Sequence, residues 1–123
     1  MAHHSSCMPD RIEELTLEIR AFRDARDWKQ FHAPKEMAVA IAAEAGELLQ
    51  HFVWQDPAQS AQRIIDQRAA LEDEIADLAI LLFEFADNLD INLATAIRAK
   101  LHRNQQRYPV DKARGSNRKY NEL

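Results

Sequence analysis

The chain has 123 residues, enough for one domain with a modest core and too few for two. It is 46% apolar with a formal net charge of −4, which argues against a protein that coats nucleic acid through bulk charge. Cys7 is the only cysteine, so an intrachain disulfide and a thiolate metal centre are both excluded, and no stretch has the length of a membrane span. The chain holds two glycines and is rich in Ala, Leu, Glu, Gln and Arg, which favours helices over the turn chemistry of sheets. The composition predicts an all-α fold.

Residues 1–9 read as a disordered leader or tag remnant, in which His3 and His4 have no assigned role. No apolar signal segment opens the chain, and a reducing, cytoplasmic location is expected. A first helix is predicted over Asp10 to Arg26, with Ile12, Leu15, Ile19 and Phe22 at helical spacing. Asp27 to Ala33 breaks that pattern and carries Trp28, Phe31 and His32. A second helix runs from Pro34 to about Trp54, where Asp56-Pro57 ends it. A short helical piece covers Ala58 to Asp66, and a third long helix Arg68 to Asn88. After a turn at Leu89 to Asn92, with Asn92 suited to cap, a fourth helix spans Leu93 to Arg107. Tyr108-Pro109 stops it. The helical domain is therefore 10–109, and 110–123 reads as an irregular basic tail.

Two of these helices carry carboxylates where apolar residues are due. Met37, Ile41, Leu48 and Phe52 form a seam whose missing position is Glu44, with Glu47 one turn on. Leu71, Leu78, Leu81 and Phe85 form another, with Glu74 in the gap and Asp77 three residues later. A single E-x-x-E is common on solvated helix faces. Two such pairs, each replacing a seam residue, with no Lys or Arg on either seam, are better explained by a divalent cation. Hard oxygen donors suit Mg²⁺ or Mn²⁺. A di-iron bundle would need His at the fourth position of two helices, which neither pair has. Glu84 and Asn88 continue the Asp77 face, either extending the polar site or lying exposed near the helix end.

E-A-G-E at 44–47 followed by E-I-A-D at 74–77 resembles the E-x-x-E…E-x-x-D signature of MazG-like all-α nucleoside triphosphate pyrophosphohydrolases. R-D-W-K-Q-F-H-A-P (26–34), Trp54, N-Q-Q-R-Y-P (104–109) and S-N-R-K-Y-N-E-L (116–123) are similar to the dCTP pyrophosphatase branch. The resemblance implies a four-helix bundle, oligomeric as a homodimer or homotetramer. It implies Mg²⁺-dependent cleavage between the α and β phosphates of dNTPs, dCTP or modified cytosine nucleotides favoured, as nucleotide-pool house-cleaning. Glu44, Glu47, Glu74 and Asp77 would be the metal ligands, with Glu47 nearest the attacking water. Lys100 would offset charge on the triphosphate beside Asn104. Arg107, Tyr108, Arg114, Arg118 and Lys119 would also meet substrate, and Trp28, Phe31, His32 and Trp54 would form the base pocket. The chain departs from that branch at Ile19 and Leu81, where relatives carry a histidine and a tyrosine. The alternatives are a pyrophosphohydrolase acting on dUTP or phosphoribosyl-ATP, and a non-catalytic metal-binding helical module. Neither nucleic acid nor membrane is expected as a partner.

Overall fold

A computed structural model describes residues 10–123, so the leader with His3, His4 and Cys7 lies outside the described residues. Among them there are six α-helices and no strand, and the all-α expectation is borne out. The chain divides into two compact units, residues 10–90 and 91–123.

In the first unit, α1 (Arg11–Ala25) begins where Asp10 accepts a hydrogen bond from the Glu13 backbone at 2.7 Å. Glu13 and Glu14 in the first turn suit the positive end of the helix dipole. After α1 the chain turns sharply. Asp27 takes φ 54°, a left-handed conformation unusual without glycine, and a 3₁₀ turn follows over Lys29–Phe31. Pro34 occupies the first turn of α2 (Pro34–Gln50), where its missing N–H costs nothing.

The sequence pattern carries this second helix to Trp54, but it stops at Gln50. Trp54 adopts φ 63°, which a continuing helix cannot accommodate, and residues 51–54 close as turns instead. Asp56 and Gln59 then form a reciprocal capping box at 2.8 and 2.9 Å, which opens α3 (Pro57–Asp66). Gln67 alone separates α3 from α4 (Arg68–Asn88).

The 21 residues of α4 make it about 30 Å long, and α1, α2 and α3 all pack against it. Met37 on α2 is 1% exposed and Leu71 and Ala86 on α4 are buried with it. This core is small for the apolar content. Leu15, Phe22 and Ile80 help line an open apolar groove of about 460 Å³ between α1 and α4. Leu49, Phe52, Ile64 and Ile75 help line another, of about 570 Å³, among α2, α3 and α4. Among the described residues no helix is long and apolar enough to cross a membrane.

In the second unit, Asn92 caps α5 (Leu93–Arg107) by accepting from the Thr95 backbone at 3.0 Å. The tail that reads as irregular contains a one-turn helix, α6 (Val110–Ala113), and a 3₁₀ turn over Tyr120–Glu122. Aromatic contact explains the order. Tyr120 meets Tyr108 edge-on at 6.1 Å, and the Arg107 guanidinium lies 4.8 Å over its ring, so the tail folds back on the end of α5.

Candidate active site

The two carboxylate pairs face each other because α2 and α4 pack along the seams that carry them. Glu44, Glu74 and Asp77 each offer an oxygen, and the three oxygens lie within 4.8 Å of one another. Glu47 sits beside them, close enough to Glu44 and Glu74 to raise the carboxyls of both. The electrostatics record the crowding. The Glu44 carboxyl is pushed above its usual range first by Glu47 beside it, then by loss of solvent and by the neighbouring charges of Glu47, Asp77 and Glu74. Glu74 is pushed up first by loss of solvent, then by Glu47.

Glu44 Oε2 and Glu74 Oε2 are buried and have no hydrogen-bond partner. Buried acceptors are normally satisfied, and an unpaired carboxylate oxygen is among the costliest exceptions. A divalent cation would supply what both lack, so the residues present fit such an ion. The donor set is all oxygen, as a hard cation requires.

His51 belongs beside this group, and the pattern of seams gives it no role. It stands seven residues after Glu44 and four after Glu47, which is the same face of the helix continued into the following turn. Its Nδ1 is buried without a partner, and its proximity partly offsets the rise at Glu74. The spacing E-x-x-E-x-x-x-H is the signal that could have found it.

The aromatic residues are arranged otherwise. Trp28 and Phe31 are 43% and 63% exposed on the turn after α1, and Trp54 is 97% exposed after α2. Neither tryptophan is a core residue. Phe22 meets Trp28 edge-on at 5.7 Å, and the Arg26 guanidinium covers the Phe22 ring at 3.7 Å. Gln30 donates to both the carbonyl and the carboxylate of Asp27, which fixes the left-handed residue. His32 is half-buried, its Nδ1 2.5 Å from Glu84 Oε2.

Glu84 is therefore not exposed near the helix end. It is 4% exposed and also accepts from Asn88 Nδ2 at 3.2 Å. Asn88 Oδ1 in turn accepts from Arg23 at 2.6 Å, and Arg23 is 3% exposed. In the second unit Lys100 and Asn104 line one small groove of about 310 Å³ on α5 with Ala96, Ile97 and Leu101. Arg107 and Tyr108 end that helix, and Arg114, Arg118 and Lys119 are exposed on the tail.

The sequence profile of the MazG-like family matches residues 39–123, which includes both carboxylate pairs. The chain belongs to the MazG-like family. Proteins named dCTP pyrophosphatase 1 from rat (Rattus norvegicus) and human (Homo sapiens) are each 38% identical to it over 114 residues, covering 91% of this chain and 67% of each relative. The crystal structure of a pyrophosphatase from Archaeoglobus fulgidus superposes with a TM-score of 0.78 at 35% identity, covering 83% of this chain and 95% of that one. The expected nucleotide pyrophosphohydrolase class and the MazG-like all-α fold are thus borne out.

Proposed function

We propose that this MazG-like chain hydrolyses deoxynucleoside triphosphates between the α and β phosphates, with dCTP or a modified cytosine nucleotide preferred. The observation that carries the reading is the pair of buried, unpartnered oxygens on Glu44 and Glu74, gathered with Asp77 and Glu47 on two packed helices. The names of the relatives support the substrate class.

Glu44, Glu47, Glu74 and Asp77 would hold Mg²⁺, or Mn²⁺ in its place. That ion supplies positive charge to screen the triphosphate and to make a nearby water more acidic. Glu47 and Asp77 are the exposed members of the four, within reach of a solvent water; Glu47, which is not one of the three converging ligands, takes the proton as the water attacks the α phosphorus. The bond from that phosphorus to the bridging oxygen breaks, pyrophosphate leaves, and the nucleoside monophosphate remains. Lys100 offsets charge on the phosphates beside Asn104, and Arg107, Tyr108, Arg114, Arg118 and Lys119 contribute to holding them. Trp28, Phe31 and Trp54 offer stacking surface for the base, worth about 1–3 kcal/mol per base in single-strand complexes, and His32 offers a polar edge.

The open apolar grooves beside α1 and α3 support association of copies into a dimer or tetramer, since a lone chain would leave them wet. The test is pyrophosphate release from a panel of dNTPs, with Mg²⁺ or with EDTA, for the wild type and Glu47→Ala. We expect metal-dependent release with the monophosphate as co-product, fastest on dCTP or its modified forms and lost in the variant. Inorganic phosphate with a diphosphate left over would mean cleavage at the other bond and would overturn the reading.

A further inference from the structure

Glu84 is a buried carboxylate that the hydrolytic chemistry does not use. Its surroundings fix the direction of every hydrogen bond that reaches it. Arg23 begins the series, because a guanidinium only donates. Its Nη1 donates to Asn88 Oδ1 at 2.6 Å, which settles the orientation of that amide. Asn88 must then present Nδ2 to Glu84, whose Oε2 accepts it at 3.2 Å. The same Oε2 lies 2.5 Å from His32 Nδ1, so the proton between them belongs to the imidazole. The nitrogen opposite, Nε2, makes no hydrogen bond among the described residues, and the His32 side chain is 23% exposed. In a neutral ring whose Nδ1 carries the proton, Nε2 is an acceptor.

The surrounding segment is built to hold that ring in place. Asp27 is kept left-handed by Gln30, the Trp28 backbone donates to the Arg23 carbonyl, and the His32 backbone donates to the Lys29 carbonyl. Two exposed aromatic rings, Trp28 and Phe31, lie within four residues of His32. A buried Arg–Asn–Glu series ending on a half-exposed histidine is more than the packing of one turn requires.

We propose that Glu84 is a positioning residue for base recognition: it holds His32 with the proton on Nδ1 and keeps Nε2 as an acceptor for a donor group on the nucleobase. The proposal rests on the reading that the Trp28–His32 segment meets the base. It adds the polarity of that contact. An exocyclic amine, as on cytosine, satisfies Nε2, whereas the carbonyl that replaces it on uracil or thymine leaves two acceptors facing each other. Without Glu84 nothing holds the proton on Nδ1. It moves in large part to Nε2, and the preference for an amine is lost.

The experiment is ¹⁵N NMR of the imidazoles at pH 8, with the His32 signals assigned by their absence in His32→Gln. KM and kcat for dCTP and dUTP are measured alongside for the wild type, His32→Gln, Glu84→Leu and Glu84→Gln. We expect Nδ1 protonated in the wild type and in Glu84→Gln, whose amide oxygen still accepts. Glu84→Leu should shift the proton toward Nε2 and raise KM for dCTP about fivefold, the size of one neutral hydrogen bond, with kcat within about twofold and KM for dUTP unchanged or lower. A wild-type ring protonated on Nε2 overturns the proposal, whatever Glu84→Leu does. So does a Glu84→Leu ring that changes tautomer while the dCTP-to-dUTP preference stays constant. If the tautomer follows Glu84 but His32→Gln itself leaves both KM values unchanged, the base-contact reading of His32 is what fails, and Glu84 serves the fold alone.

Discussion

One helix carries two polar clusters with opposite character. Near its middle, α4 contributes Glu74 and Asp77 to a group of carboxylates that has His51 beside it but forms no ion pair with a Lys or Arg among the described residues, and Glu44 and Glu74 are both pushed above the ordinary carboxylate range. Ten residues on, about 15 Å along the axis, Glu84, Asp87 and Asn88 meet a complete set of partners: His32, Arg20 and Arg23. There the Asp87 carboxyl is held below its usual range by the hydrogen bonds from Arg20. Both clusters lie near apolar packing, so burial alone does not separate them. Supply of counter-charge does. A folded chain that satisfies one cluster and leaves the other unsatisfied marks the second as the place where a ligand completes the structure.

The comparison breaks most visibly at Glu74. Glu74→Gln removes one donor from the unsatisfied cluster and one source of repulsion. We expect activity to fall by at least about a hundredfold, beyond the ~10–100-fold typical of groups that merely orient metal ligands. In EDTA the same variant should be no less stable than the wild type, since it relieves an unpaired buried oxygen. Pyrophosphate release and thermal unfolding with and without metal measure both. A variant that loses stability in EDTA would make Glu74 a structural residue and erase the contrast.

The unsatisfied cluster was legible in the sequence and the satisfied one was not, for a physical reason. Glu44 and Glu74 interrupt apolar seams of their own helices, and periodicity within one helix is a local property. The helix ends were legible where one residue determines them, as at Asn92 and Pro34. Burial of Glu84 depends on His32, 52 residues earlier, and on Arg23 acting through Asn88, so no local pattern carries it. The early stop of α2 depends on the left-handed Trp54, a residue type that gives no warning of such a conformation. The order in the tail likewise comes from Tyr120 returning to Tyr108, a contact across twelve residues.

A second test uses the opposite shifts of the two clusters. Glu44 and Glu74 bind a proton more tightly when folded than their ordinary value of 4.5. Their contribution to stability is therefore complete below that value and is lost as the pH rises through the raised ones. Asp87 behaves oppositely. Its contribution is present above its ordinary 3.8 and is lost as the pH falls through the lowered value. In EDTA, the urea midpoint of the wild type should decline above about pH 4.5 more steeply than that of the double variant Glu44→Gln/Glu74→Gln. Saturating Mg²⁺ should remove the difference, because a bound cation favours the ionised carboxylates. Parallel curves for the two proteins without metal would mean that the cluster is as well solvated as any surface group.

The smallest effect is expected at Arg20. Its guanidinium grips Asp87 through two hydrogen bonds, Nε to Oδ2 at 2.9 Å and Nη2 to Oδ1 at 2.6 Å, tying α1 to the end of α4. The geometry is good, but the arginine side chain is 45% exposed and the aspartate 18%. Solvent screens the attraction, and holding a long side chain in one conformation offsets part of it. A pair of this kind contributes at most about 1 kcal/mol, less in salt. The coupling from Arg20→Ala, Asp87→Ala and the double variant, measured by urea unfolding at low and high ionic strength, should stay within that limit and shrink with salt. Arg23 and Glu84 differ in being buried, where an unmet partner keeps its full desolvation cost. A coupling above about 2 kcal/mol that salt does not touch would place Arg20 and Asp87 inside the same buried series as Glu84, and the satisfied cluster would then be larger and drier than the exposures of these two side chains imply.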